Sequence, residues 1–215
     1  MSEIAVAVAA GGSSSRLGSP KPLLDLGGAT LLEYALECAY SISSDVYLLL
    51  NDAGQVRRIL GAERVPAIVT DPALSTFPDR IAESLRKIPS ELVFLMGCDM
   101  PFLDPRLPPI LASRIEGHGA AVPAWQNGHL EPLSALYRRS ALPSRHGIGS
   151  MRQLCMVMDP ILVAIEGTGV PSWTFLNINT KEDLLKAEAV LRSSQSQRSS
   201  CGKSNIPQCP KSSCL

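Results

Sequence analysis

Long hydrophobic runs are missing from this 215-residue chain: none reaches the roughly 18 apolar residues that a membrane-spanning helix needs. The N-terminus lacks the basic start, apolar middle and small-residue cleavage site of a secretory leader, and a cytoplasmic location is expected. Neither sign of charge prevails, 20 Lys and Arg standing against 20 Asp and Glu. That balance gives no support for a nucleic-acid or anionic-membrane binder, although it leaves room for a local basic pocket. The six cysteines include no Cys-x-x-Cys pair. Cys38, Cys98 and Cys155 lie far apart in apolar or mixed surroundings and are expected as buried, reduced thiols, while Cys201, Cys209 and Cys214 fall in a polar tail. No second His or Cys stands at ligand spacing from His129, so zinc is not expected and His129 is read as an orienting or core histidine. The fourth position from the end is not cysteine, which excludes a prenylation box. Internal repeats are absent.

What is present is an ordinary globular composition, 45% apolar and 19% charged, in a length suited to one domain. The first half alternates short apolar runs at 4–10, 45–50, 67–70 and 92–96 with helical patterns at 30–40, 55–60 and 77–87. Strands separated by helices imply right-handed crossovers and parallel pairing, with both sheet faces covered. In the second half, Pro105, Pro108 and Pro109 delimit a helix near 110–115, and strands are expected at 120–123, 133–137 and 161–165. A last helix over 181–191 starts from Thr180, with Asp183 placed as in a capping box. The fold expected is a single Rossmann-like three-layer α/β domain with a mainly parallel sheet. Its bounds are 1–192, followed by a Ser-, Gln-, Lys- and Pro-rich segment, 193–215, read as a disordered tail.

The most informative stretch is Ala9-Ala10-Gly11-Gly12-Ser13-Ser14-Ser15-Arg16-Leu17-Gly18-Ser19-Pro20-Lys21. A strand enters a glycine turn, where backbone N–H groups can approach phosphate oxygens unobstructed by side chains. Arg16 and Lys21 supply the positive charge, one as a fork and the other as a point charge. Pro22 after Lys21 excludes a P-loop, and Gly-x-Gly-x-x-Gly does not occur. The plainer alternative is a flexible turn ending at a surface lysine. Asp99 lies just beyond the buried run 92–96, at the strand exit where open parallel sheets bind ligands; there it either holds Mg²⁺ or makes a turn before Pro101. Asn51 and Asp71 follow two further strands and so share that edge, as nucleotide contacts or as loop punctuation.

The stretch 9–21 resembles the signature Leu-Ala-Gly-Gly-x-Ser-x-Arg-Met-Gly-x-x-Lys of molybdenum cofactor guanylyltransferases (MobA-type) and their nucleotidyltransferase relatives. Ala9 and Leu17 replace Leu and Met, while Leu23, Leu24 and Gly27-Gly28 continue the pattern. Cys98-Asp99-Met100-Pro101-Phe102-Leu103 is similar to the family's metal motif. Asn177-Ile178-Asn179-Thr180-Lys181-Glu182-Asp183-Leu184 is similar to its Asn-x-Asn-Thr-Pro-Glu-Asp-Leu ending, and 128–137 resembles its acceptor-side strand. The likeness spans most of 4–191.

It implies a nucleotide-diphospho-sugar transferase-like fold and an enzyme that moves GMP from GTP to the phosphate of molybdopterin, with Mg²⁺ on Asp99. Arg16, Lys21 and Asp99 would be catalytic; Ala9, Ala10, Gly11, Gly12, Lys21, Asn51, Asp71 and Asp99 would contact the nucleotide. Asn177 and Asn179, on the same side by alternation, would bind the acceptor, a turn and helix-cap role being the alternative. Cofactor-delivery proteins are the transient partners implied. Where the family has Gly-Pro-Leu-Ala-Gly, this chain has Phe77-Pro78-Asp79-Arg80-Ile81-Ala82-Glu83-Ser84, an exchange expected to bear on base or acceptor preference. Transfer from CTP, transfer to another phosphorylated metabolite such as 2-phospholactate, and nucleotide binding without catalysis are the competing readings.

Overall fold

The computed structural model describes residues 4–11, 20–51, 65–71, 73, 74, 76–144 and 146–200, with only the backbone for 194–200. Gly12, Arg16 and the helix expected at 55–60 lie outside the described residues.

The strands are β1 (Ile4–Ala9), β2 (Asp25–Leu26), β3 (Ala29–Thr30), β4 (Val46–Leu50), β5 (Ala67–Val69), β6 (Leu92–Gly97), β7 (Ala120–Ala124), β8 (Ser134–Arg138) and β9 (Pro160–Ala164). The helices are α1 (Leu31–Ile42), α2 (Phe77–Arg86), α3 (Leu107–Ala112), α4 (Met151–Val157) and α5 (Lys181–Ser200). Seven strands form one sheet in the order β5-β4-β1-β6-β8-β7-β9, and β2 pairs with β3 in a separate hairpin. Only β8 runs against its neighbours, antiparallel to both β6 and β7. The other six therefore end at one edge of the sheet, and β8 begins there.

The two-sided core follows from strand alternation. In β1, Val6 and Val8 face one apolar layer, which α1 and α3 cover with Leu32, Leu36, Leu107 and Leu111. Ala5 and Ala7 face the other, which α2 and α4 cover with Ile81, Leu85 and Leu154. In β6, Phe94 and Leu95 divide between the two layers and both are fully buried. Each such side chain contributes about 1.5–3 kcal/mol. A third cluster ties Ala187 and Leu191 of α5 to Leu26 and Ala29 of the hairpin.

Several expectations shift. Of the three prolines expected to precede α3, Pro108 and Pro109 lie in its first turn, where a missing N–H does no harm. Helix α4 was not anticipated, although Ser150 caps it by accepting from the Gln153 N–H at 3.1 Å. The last helix runs to Ser200, past the tail boundary placed at 193. Cys38, Cys98 and Cys155 are free and buried, as expected. Among the described residues no helix is long and apolar enough to cross a membrane.

Candidate active site

The site is assembled where the strands end. At the end of β1, the Ala10 N–H donates to the Leu49 carbonyl at 3.0 Å, and the Ala9 carbonyl accepts from the Cys98 N–H at 3.1 Å. These bonds fix the entry to the glycine turn against β4 and the exit of β6. Asn51, one residue beyond β4, donates through Nδ2 to the Gly11 carbonyl. A Cβ on Gly11 would stand 2.5 Å from Asn51 Oδ1 and 2.7 Å from its Cγ, so a side chain there would displace the clasp. Asp71, two residues beyond β5, lies in an exposed turn, where its Oδ1 accepts from the Ala73 N–H at 2.8 Å. Since β5 and β6 are three places apart in the sheet, their axes are about 14 Å apart and Asp71 is set apart from Asp99 along the edge.

Lys21 opens a short 3-10 turn anchored by the buried Pro22, and its side chain reaches back over the edge. Its ammonium donates to Asp99 Oδ2 at 2.5 Å and to Asn179 Oδ1 at 2.7 Å. The lysine and aspartate side chains are only 14% and 16% exposed, which reduces solvent screening of the pair. A Cβ on Gly97 would run into the Asp99 carboxylate, so the last residue of β6 must be glycine for this placement. The Asp99 carbonyl accepts from the Ile178 N–H at 3.0 Å, which brings the 177–179 segment to the same point. Ile178 is fully buried, while Asn177 and Asn179 flank it on the less buried side. The helix cap belongs to Thr180 and Asp183, bonded reciprocally at 2.9 and 3.2 Å.

Asp104 is clasped by the Arg106 Nε and Nη2 groups at 2.9 and 2.6 Å and takes no part in this cluster. Among the described residues no group of three His, Cys, Asp or Glu side chains could hold a metal ion. A lone carboxylate suits Mg²⁺, which is commonly held by one or two carboxylates together with substrate phosphates and water.

Asp79 has a different role from the one its sequence position suggested. Its buried carboxylate accepts from the Gly147 and Ile148 N–H groups at 2.7 and 3.2 Å, anchoring a loop. Burial opposes its ionisation, but hydrogen bonds from Gly147, Thr76 and Ile148 and the nearby His146 hold its carboxyl below the usual range.

On the other side of Asp99, a cleft of about 340 Å³ is lined by Met100, His129, Glu131, Leu133, Arg152 and Asn177, among others. His129 is exposed at its rim rather than in the core, with Nε2 3.7 Å from Glu131 Oε1. Glu131 is 7% exposed and accepts from Trp125 Nε1 at 2.7 Å. Trp125 itself meets Phe175 edge to face, with ring centroids 5.7 Å apart. Burial raises the Glu131 carboxyl above its ordinary value, against the Trp125 hydrogen bond and His129, which lower it. Sequence reasoning did not single out Glu131 or Arg152, although Glu131 falls within the polar 125–131 segment and the acceptor-side stretch 128–137.

Residues 6–158 match the family described as the MobA-like NTP transferase domain. The chain belongs to that family. A probable molybdenum cofactor guanylyltransferase of Pyrococcus furiosus is 34% identical over 200 residues, covering 86% of this chain and 97% of that one. The structure of molybdopterin-guanine dinucleotide biosynthesis protein A from Archaeoglobus fulgidus superposes with a TM-score of 0.73 at 24% identity, over 87% of this chain and 98% of that one. A CMP:2-keto-3-deoxy-manno-octonic acid synthetase solved with CTP superposes with a TM-score of 0.65 at 19% identity, over 90% and 100% of the two chains. The last two show the fold, in agreement with the nucleotide-diphospho-sugar transferase-like expectation.

Proposed function

We propose that this chain transfers GMP from GTP to the terminal phosphate of molybdopterin, forming a guanine dinucleotide and releasing pyrophosphate. The observation that carries the proposal is the Lys21 ammonium, held between Asp99 and Asn179 where the glycine turn meets the acceptor cleft. The relatedness to the Pyrococcus furiosus guanylyltransferase supports GTP and this acceptor class.

In the reaction, an oxygen of the acceptor phosphate attacks the α-phosphorus of GTP. The bond from that phosphorus to the α–β bridging oxygen breaks, and pyrophosphate departs with the electron pair. A phosphate monoester is largely ionised near neutral pH, so no serine–histidine pair is required. The protein aligns the reactants and neutralises charge. Lys21 and Arg16 stabilise charge on the triphosphate and departing pyrophosphate, with the backbone N–H groups of the turn. Asn51 holds the turn through Gly11. Asp71 serves the sugar or base, and Asn177 and Asn179 orient the acceptor. Asp99 would hold Mg²⁺, which when bound neutralises phosphate charge.

Asp79 is committed to the 147–148 backbone and so, by itself, gives no reason to depart from GTP. The test is Mg²⁺-dependent pyrophosphate release with GTP or CTP, with and without molybdopterin. Release is expected only with GTP and acceptor together. Preferential turnover of CTP would transfer the reading to cytidylyl transfer, and binding of GTP without release would make the chain a nucleotide-binding protein.

A further inference from the structure

We infer that Glu131 recognises the pterin ring of the acceptor, its carboxylate receiving the two adjacent N–H donors of a 2-amino-4-oxo heterocycle. The inference rests on the acceptor proposed above and deepens it. Buried carboxylates normally have their hydrogen-bonding capacity satisfied. Glu131 Oε1 is fixed by Trp125 Nε1 at 2.7 Å, whereas Oε2 has no hydrogen-bond partner among the described residues. The same side chain lines the cleft beside Asp99, so its unused acceptor capacity has an outlet.

The surroundings favour a flat ring over a sugar. Met100, Leu130, Leu133 and Met151 supply apolar walls, while Arg152 and Asn177 supply donors. Arg152 is positioned by its Nη1 contact with the Gly128 carbonyl at 3.0 Å. A ring presenting an amino group next to a ring N–H matches the two oxygens of one carboxylate. The Trp125–Phe175 contact, with planes at 72°, and the Trp125 hydrogen bond hold that carboxylate in place before anything binds. Guanine carries the same donor pair, but this cleft lies on the β8 side of Asp99, away from Asn51 and Asp71.

The decisive variant is Glu131→Gln, which keeps size but sets an amide N–H against the ring donors. KM for molybdopterin should rise on the order of 10–100-fold, as expected when a built polar contact is mismatched. The kcat should stay within about threefold, and the Kd for GTP should not move. Trp125→Phe keeps a ring against Phe175 but removes the N–H; its KM should change by less than about fivefold. A direct readout is quenching of neopterin fluorescence, with binding to wild type and its loss in Glu131→Gln. Wild-type turnover with an unaltered Glu131→Gln KM would overturn the inference alone. So would equal losses in the two variants, which would make Glu131 a hairpin anchor. A rise in the GTP Kd instead would make the cleft a base site. Failure of wild type to use molybdopterin would overturn both readings.

Discussion

Replacing Lys21 by methionine keeps the aliphatic stem, removes the ammonium and leaves Asp99 without its cation. The pair is neither surface-exposed nor sealed, with side chains 14% and 16% accessible. Losing one partner of an exposed pair costs about 0–1 kcal/mol, and of a buried one about 3–5 kcal/mol. An intermediate loss of about 1–2 kcal/mol is expected here, which for a domain of this size lowers Tm by about 2–8 °C. The carboxylate released in the variant becomes available to Mg²⁺, whereas in wild type the ammonium at 2.5 Å competes for it. At Mg²⁺ near ten times its Kd, linkage returns about 1.4 kcal/mol. Scanning calorimetry with MgCl₂ titrated against NaCl at matched ionic strength should therefore show a larger Mg²⁺-induced rise in Lys21→Met than in wild type. The rise should vanish in Lys21→Met combined with Asp99→Asn. Turnover of Lys21→Met should fall on the order of 10²–10³-fold, the loss typical of one charge-stabilising donor. Equal Mg²⁺ responses in wild type and variant would refute competition for Asp99.

Gly97→Ala should fold yet lose on the order of 10²-fold in turnover, because its methyl group displaces the Asp99 carboxylate; a wild-type rate would show that the carboxylate tolerates the shift. Asp79→Ala should lose about 1–3 kcal/mol in urea denaturation by orphaning the Gly147 and Ile148 N–H groups. The Asp79 carboxyl is depressed on folding, so its contribution is complete at neutral pH and fades as pH falls below about 4 through the folded value; the variant's stability should vary less there. Burial, with Asp104 and Glu37 nearby, pushes the Cys38 thiol up to about 12, and burial pushes Cys155 up to about 11 against the Tyr137 hydrogen bond. Peptide mapping after iodoacetamide at pH 8 should find neither modified until the chain is unfolded.

The central strands were legible because β1 and β6 are buried on both faces, which writes them as unbroken apolar runs. Asp99, Asn51 and Asp71 were placed at one edge by the same logic, since each follows a strand of like direction. The reversal of β8 was not legible, because alternation fixes the faces of a strand but not its direction. Neither was the meeting of Lys21 with Asn179, whose 158-residue separation no local pattern spans. Glu131 escaped for a related reason. A glutamate in a polar loop reads as exposed, and the contacts that hold it inside, Trp125 from six residues earlier and the Pro123 carbonyl, are not written in its local pattern.

The reversal of β8 divides the labour of the edge. Because β7 ends where β8 begins, residues 125–133 form a connection whose two stems are both fixed in the sheet. That connection contributes His129 and Glu131 to the cleft, while the proposed nucleotide side would be drawn from the ends of β1, β4 and β5. With both stems fixed, a change within 125–133 is expected to alter the wall of the cleft while leaving the ends of β1, β4 and β5 in place.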